Sequence, residues 1–414
     1  MATRTPIARQ TRRAAPVTPI AGCLFLTVCL LLGGCDRGTS GRGSSPPDRA
    51  SPASTTAVGA RPLDPRAGAS RGSGECRLPP LRQQIAQLLL VGFPGTAPTA
   101  ANRWVVEQGV GGLVLFSRNI SSTGQVRSLL RHLQASAAIP LEIAVDEEPG
   151  RIARLAGLVA AAPPARQLGR LSPARIFRYG LQIGHDLAAL GVTTDLAPVL
   201  DITNAAPNSV IGDRSFGGDP ISVSRTAIAF MLGLTQGGVT TVGKHFPGHG
   251  ESVVDSHRAL PVVDVTTSRL EAWDLAPYKA AIKDGLPAVM VGHLLIRQLD
   301  PQRPASLSPM VVQSLLRERL SFGGLVVSDA LEMDAIAQSW PLATAAELAI
   351  EAGVDQVIVW RDYQQIPQVI DRLENAVRGG RLSLDRVREA FLHVQQFKRQ
   401  HAWDNCARIA APGR

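Results

Sequence analysis

The chain is poor in cysteine and in lysine, and it lacks any long apolar run. Only five cysteines occur in 414 residues, and none has a CxxC or Cys/His spacing typical of zinc sites. The N-terminal apolar run, 20–32, is 13 residues long, which is too short to span a membrane comfortably. Four of the 43 basic residues are lysines, so Lys244 within a segment rich in histidine stands out.

An excess of charge is also missing from most of the chain. The formal net charge is +9, but residues 1–75 hold 10 arginines and 4 acids, whereas residues 76–414 hold 33 basic and 30 acidic residues. The second part is therefore nearly neutral, and nucleic-acid binding is not indicated.

The N-terminal region has the pattern of an exported lipoprotein. Basic residues precede the apolar run, and Leu32-Gly33-Gly34-Cys35 then resembles a lipobox, so 1–34 is predicted to be a signal peptide and Cys35 its lipidated residue. An ordinary signal peptide that contains cysteine is the alternative. Residues 35–75, rich in Ser, Gly, Pro and Arg, are expected to be a disordered tether.

Two cysteines remain at the ends of the predicted folded domain, 76–406, which is followed by a tail, 407–414. Export to an oxidising compartment permits a disulfide between Cys76 and Cys406, and two separate buried thiols are the alternative.

Eight short apolar runs alternate with helical patterns and predict a single (β/α)8 barrel. Helices are predicted at 172–190, 220–236, 268–284 and 308–319, and glycines end several helices just before a run. An open doubly wound sheet is the competitor, but the first run is followed by GFPGTAP instead of GxGxxG. The predicted strands are 88–93, 112–116, 141–146, 193–201, 240–246, 288–293, 324–330 and 356–360.

Polar side chains cluster where these strands end, which is the catalytic face of such a barrel. Asp146, Asp201, His293 and Asp329 each end a predicted strand. Asp329 follows a buried Val pair, where a carboxylate is costly unless it is used, so it is a candidate nucleophile. The alternative is a helix N-cap for 331–338.

The segment 244–257, KHFPGHGESVVDSH, contains the densest group of titratable residues. His257, with Asp255 two residues before it, is a candidate general acid/base, since a nearby carboxylate fixes the imidazole tautomer. Solvated loop side chains are the plainer interpretation. A metal site made by His245, His249, Asp255 and His257 is a third one, but the His-x-His after the first strand that is typical of barrel metallohydrolases is missing.

Two further groups could bind a polar substrate. Asp146 begins DEEPGR and could bind sugar hydroxyls, or it could belong to a solvated turn that Arg151 neutralises. Arg214 could grip an oxygen bidentately, or it could pair with Asp213 or Asp201.

Taken in order, these segments resemble glycoside hydrolase family 3, and more narrowly its NagZ-like bacterial β-N-acetylglucosaminidases. The similarity runs from about residue 81 to 360. It implies a (β/α)8 barrel and retaining hydrolysis of terminal β-linked N-acetylglucosamine. No cofactor and no metal are expected. The segments that carry it are GGLVLFSRN, AVDEEPGR, DLAPVLDI, IGDRSFGGDP, GKHFPGHG, DSHRALP and SDALEMDAI.

The resemblance also implies roles for individual residues. Asp329 corresponds to the nucleophile, and His257 with Asp255 corresponds to the acid/base pair on a loop, 247–259, that is expected to move. The residues that correspond to sugar-binding positions are Asp146, Arg214, Lys244 and His245, with Arg151 near the site. One departure is Pro149, where the family usually has glycine; proline removes a backbone donor and restricts Glu148 before it.

Several functional alternatives stay open at this stage. Phosphate could replace water as the acceptor, because a neutral imidazole does not repel an anion. A non-catalytic, lipid-tethered sugar-binding protein would instead have two lobes around a cleft. The expected partners are N-acetylglucosamine-terminated glycans, such as peptidoglycan fragments, and a membrane reached through the lipid. The expected state is an exported monomer.

Overall fold

The structure, a computed structural model, describes residues 78–399 apart from 251 and 253. The predicted signal peptide, lipidated Cys35, the tether and the predicted Cys76–Cys406 pair lie outside these residues. Among the residues described, no helix is both long and apolar enough to cross a membrane.

Eight parallel strands close into a barrel in the order β1-β10-β9-β7-β5-β4-β3-β2, which confirms the predicted fold class. Each barrel strand lies within a predicted apolar run. Two short strands outside the barrel, β6 and β8, pair in parallel with each other. The strands are β1 Leu89–Gly92, β2 Gly112–Leu115, β3 Glu142–Val145, β4 Thr194–Asp195, β5 Thr240–Phe246, β6 Val262–Val263, β7 Ala288–Val291, β8 Leu295–Ile296, β9 Leu325–Ala330 and β10 Gln356–Val359.

Strand β4 is much shorter than the predicted run 193–201. Pro198, preceded by a cis peptide bond, has no N–H to donate, so regular pairing stops before it. The chain beyond stays extended beside β5, where Leu200 N donates to Lys244 O at 2.7 Å. Asp201 is thus positioned at the barrel mouth by a loop that follows the strand.

The helices surround the barrel and close its apolar core. Their apolar faces pack on strands that are buried on both sides, as the continuous Val/Ile/Leu runs predict. They are α1 Leu81–Ala86, α2 Ala100–Glu107, α3 Thr123–Ser136, α4 Ala165–Leu168, α5 Pro173–Leu190, α6 Pro220–Gln236, α7 Thr267–Ala272, α8 Ala276–Lys283, α9 Asp334–Ala337, α10 Leu342–Ala352, α11 Ile366–Arg378 and α12 Leu384–Arg399. Single 3₁₀ turns occupy Ser117–Asn119, Gly212–Arg214, Ala305–Leu307 and Tyr363–Gln365, and Met310–Arg319 is π-helical.

The predicted helices match with two differences. The expected helix 268–284 is divided into α7 and α8, since Pro277 lies in the first turn of α8, where its missing N–H costs nothing. The predicted helix 308–319 is the π-helical segment. Gly191 ends α5 with φ of 93°, a conformation that favours glycine.

Candidate active site

A pocket lies at the mouth of the barrel, and Asp329 and His257 both line it. Its other lining residues lie in strands β2, β5, β7, β9 and β10 or in the loops that follow β2, β3, β4, β5, β9 and β10. This is the face where parallel barrels carry their reactive groups. The structure therefore brings together residues that are separated by up to 246 positions in the chain, Val114 to Trp360.

Asp329 is held as an anion at the end of β9. Burial by itself raises its pKa, but the imidazoles of His293 and His245 and the N–H of Ala330 outweigh this and hold the pKa below its ordinary value. The Ala330 N–H donates to Oδ1 at 2.8 Å. The helix N-cap alternative is not observed, because α9 begins at Asp334 with Met333 as its N-cap.

The side chain of His293 packs beside this nucleophile candidate. Its ring nitrogens contact Ser306 Oγ at 2.8 Å and Ala330 O at 2.9 Å, and burial lowers its pKa. Both contacts fix the ring and tie the end of β7 to the backbone next to Asp329.

Asp201 organises the start of the loop that follows β5. Its carboxylate accepts from the backbone N–H of His249 at 2.7 Å and of His245 at 3.2 Å, and it contacts His245 Nδ1 at 2.8 Å. Burial raises the pKa of Asp201, but His245 and His249 together outweigh burial, so the net shift is downward. Gly250 is required here, since a Cβ would lie 1.8 Å from Ile202 O.

Lys244 lies between two carboxylates on the charged side of the pocket. Its Nζ is 2.6 Å from Asp146 Oδ1 and 2.7 Å from Glu148 Oε1, although the residue is only 1% exposed. Burial lowers its pKa, but the two carboxylates raise it by more, so the ammonium stays charged.

Glu148 joins this lysine to Arg214. The guanidinium binds its carboxylate bidentately, with Nη2–Oε1 at 2.7 Å and Nε–Oε2 at 2.8 Å. Despite burial, the two cations hold the pKa of Glu148 well below its usual range. Asp146, Lys244 and Arg214 thus present fixed polar groups that suit sugar hydroxyls.

His257 lines the pocket and pairs with Asp255. The two side chains meet at 2.9 Å between His257 Nδ1 and Asp255 Oδ1, and the His257 N–H donates to the same oxygen at 3.0 Å. Because Nδ1 is taken, Nε2 is the nitrogen available for proton transfer. The imidazole is 63% exposed, so it can reach both a leaving group and solvent.

Arg151 occupies a different place from the other predicted site residues. Its guanidinium bridges two loops by binding Asp213 Oδ1 at 2.8 Å and Ser209 O at 2.6 Å, and it is absent from the pocket lining. The turn is neutralised instead by Arg154, which approaches Asp146 at 3.9 Å and lines the pocket. Arg214 likewise pairs with Glu148, neither of the partners proposed from the sequence.

Glu148, Arg154 and Asp201 are the functional residues that sequence reasoning undervalued. Glu148 was visible only as one of three consecutive acids, and nothing in the sequence distinguishes the acid that faces Lys244. The polar residues proposed as metal ligands are divided between separate contacts, and no group of three or more His, Cys, Asp or Glu side chains suited to a metal occurs in the described part of the chain.

Comparison with known proteins agrees with this geometry. The family model described as the glycosyl hydrolase family 3 N-terminal domain matches residues 80–397. The chain belongs to glycosyl hydrolase family 3, and it is therefore a glycoside hydrolase.

Two curated relatives are similar over most of their length. Beta-hexosaminidase LpqI of Mycobacterium tuberculosis is 37% identical over 386 residues, covering 91% of this chain and 96% of the relative. A beta-hexosaminidase of Idiomarina loihiensis is 34% identical over 332 residues, covering 77% of this chain and 98% of the relative.

Among solved structures, the family 3 β-N-acetylglucosaminidase of Paenibacillus sp. FPU-7 superposes with a TM-score of 0.75 at 36% identity. That match covers 81% of this chain and 64% of the other, so this chain spans less than two thirds of its length. The structure of M. tuberculosis LpqI gives a TM-score of 0.72 at 36% identity, and the match covers 78% of this chain and 94% of LpqI.

Proposed function

We propose that this chain is a retaining exo-β-N-acetylglucosaminidase that uses Asp329 as nucleophile and His257 as acid/base. The observation that carries the proposal is that one pocket is lined by Asp329, by His257, which pairs with Asp255, and by the charged group around Lys244. The names of the relatives give the substrate class, N-acetylhexosaminides.

The proposed reaction has two steps. In the first, Asp329 attacks the anomeric carbon through an oxocarbenium-like transition state, while protonated His257 gives its Nε2 proton to the departing oxygen. In the second, neutral His257 takes a proton from water, which attacks the glycosyl–Asp329 ester and restores the carboxylate. Asp255 stays bound to Nδ1 in both steps and stabilises the imidazolium.

The charged side of the pocket would hold the terminal sugar. Asp146 and Lys244 are placed to bind hydroxyls. Arg214 and His245 lie beside them, with Arg214 Nη2 3.5 Å from His245 Nε2. Interactions of this kind lower the barrier when they tighten as the sugar ring flattens.

We further propose a peptidoglycan fragment as the natural substrate and a lipid anchor at Cys35 as the means of retention at the cell envelope. The lipobox-like sequence before Cys35 supports the anchor. The pocket at the barrel mouth, which suits a terminal sugar, supports the substrate. Phosphate in place of water is the alternative acceptor, because the acid/base is an imidazole.

The test is release of a chromophore from an aryl β-N-acetylglucosaminide, with and without phosphate. Asp329→Asn should abolish release, whereas the matched control Asp334→Asn, an exposed carboxylate at the start of α9, should leave it unchanged. A sugar 1-phosphate product would identify phosphorolysis. Full turnover by Asp329→Asn would refute the nucleophile assignment, and no turnover by the native chain would favour a binding protein.

A further inference from the structure

One part of the pocket lining is aromatic. Phe116, after β2, and Trp360, after β10, both line the pocket and meet edge to face, with centroids 5.7 Å apart. In the ring of eight strands, β10 lies directly across from β4, whose loop carries Arg214. Trp360 thus lies across the barrel from Arg214, and Asp329 lies on β9, the strand next to β10.

Glu332 holds the backbone that carries this tryptophan. Its buried carboxylate accepts from the N–H of Trp360 at 3.1 Å, of Arg361 at 3.1 Å and of Asp362 at 3.2 Å. Glu332 lies three residues after Asp329 in the chain, and these hydrogen bonds hold the segment that carries Trp360.

Other contacts clamp the same segment. Arg118 Nη2 donates to Trp360 O at 2.5 Å and stacks over Phe116 at 4.5 Å, while Arg361 stacks over the indole at 4.4 Å. Gly92 makes room, because a Cβ there would lie 2.1 Å from Trp360 O. A partly exposed aromatic pair held this firmly is preorganised to bind a flat apolar surface.

Burial distinguishes the charged group from the aromatic pair. Lys244 and Glu148 are almost fully buried, whereas Phe116 and Trp360 are partly exposed at the mouth, as is His257. An exo-acting site holds the terminal sugar deep, so the leaving sugar extends toward the mouth. The apolar C–H face of a β-linked pyranose packs well on an aromatic ring.

We propose that Phe116 and Trp360 form the binding surface for the leaving-group sugar, with Glu332 as the residue that positions Trp360. This inference rests on the proposed function. It makes Trp360 a determinant of selectivity among leaving groups and Glu332 a positioning residue that acts through it.

The test compares two substrates that share a terminal sugar, the β-1,4-linked disaccharide of N-acetylglucosamine and methyl β-N-acetylglucosaminide. Trp360→Ala should lower kcat/KM about tenfold for the disaccharide, because one lost stacking contact is worth roughly that factor, and less than about twofold for the methyl glycoside. Trp360→Phe should retain most of the disaccharide activity, since an aromatic face remains.

Glu332→Gln should reproduce this selective loss, as one oxygen of the carboxylate becomes a donor that faces backbone N–H groups. Trp340 lies outside the pocket lining, so Trp340→Phe is the matched control and should leave kcat/KM unchanged for both substrates. If Trp360→Ala does not fold, Trp360→Leu carries the test with the same expectation. Equal losses on both substrates, or no loss on either, would overturn the inference, whereas inactivity of the native chain would overturn the proposed function itself.

Discussion

The buried Glu148 should be as important for stability as for activity, and Glu148→Gln tests both. Its carboxylate makes three short contacts, two with Arg214 at 2.7 and 2.8 Å and one with Lys244 at 2.7 Å, and its side chain is 1% exposed. Glutamine keeps the shape but turns one acceptor into a donor, which leaves a buried cation unpaired. Breaking a buried charged pair in this way costs about 3–5 kcal/mol.

The measurement is the free energy of unfolding in urea at neutral pH, with Asp213→Asn as the control. Asp213 pairs with Arg151 at 2.8 Å, but that arginine is 38% exposed, so the control should cost less than about 1 kcal/mol. Glu148→Gln should also lower kcat/KM by about 100-fold, since Lys244 and Arg214 lose their fixed positions.

Acid adds a second check on the same variant. Because the two cations depress the pKa of Glu148, its contribution is complete above the pKa of an unfolded glutamate and is lost as pH falls through the lower folded pKa. The difference in unfolding free energy between the native chain and Glu148→Gln should therefore narrow progressively as pH falls below 4.5. A variant that unfolds within about 1 kcal/mol of the native chain and keeps its kcat/KM would refute the reasoning.

Three other predictions concern proton transfer, loop anchoring and pH. His257→Ala should reduce kcat far more for a poor leaving group than for an activated aryl group, measured on paired substrates; equal losses would argue against proton donation. Asp201→Asn should raise KM and lower the protection of the His249 amide against hydrogen exchange, since that N–H loses a charged acceptor at 2.7 Å. Unchanged protection would contradict the anchoring role. Burial raises the pKa of Glu147 from 4.5 to about 7, so the folded chain keeps a proton that the unfolded chain loses as pH rises through this range. The free energy of unfolding should therefore fall by at most about 3 kcal/mol as pH rises from 4.5 to 7. Glu147→Gln should flatten that fall in urea titrations across the range, and a fall of unchanged depth would assign it to another group.

The strands and the barrel were predictable because a strand buried on both faces leaves a continuous apolar run, as in 288–291 and 356–359. The break of β4 before Pro198 and the division at Pro277 depend on single residues whose effect the surrounding pattern hides. Site residues at strand ends, such as Asp329 and Lys244, were also predictable, since closure of the barrel gathers those ends.

Partners within the site were harder to predict. Which acid of DEEPGR faces Lys244, and whether Arg151 or Arg154 lies beside Asp146, depends on the path of a loop that periodicity does not describe. The same holds for Glu332, whose three contacts lie 28 to 30 residues further along the chain. Such long-range contacts of loop side chains leave no local pattern in the sequence.

The central claim is the covalent intermediate on Asp329, and mass spectrometry of the His257→Ala variant tests it most directly. With an activated aryl β-N-acetylglucosaminide, the first step needs no acid, but the second lacks its base, so the intermediate should accumulate. The account predicts one N-acetylglucosaminyl residue on the peptide that contains Asp329 and none in the double variant with Asp329→Asn. Turnover without an adduct, or an adduct on another residue, would contradict it.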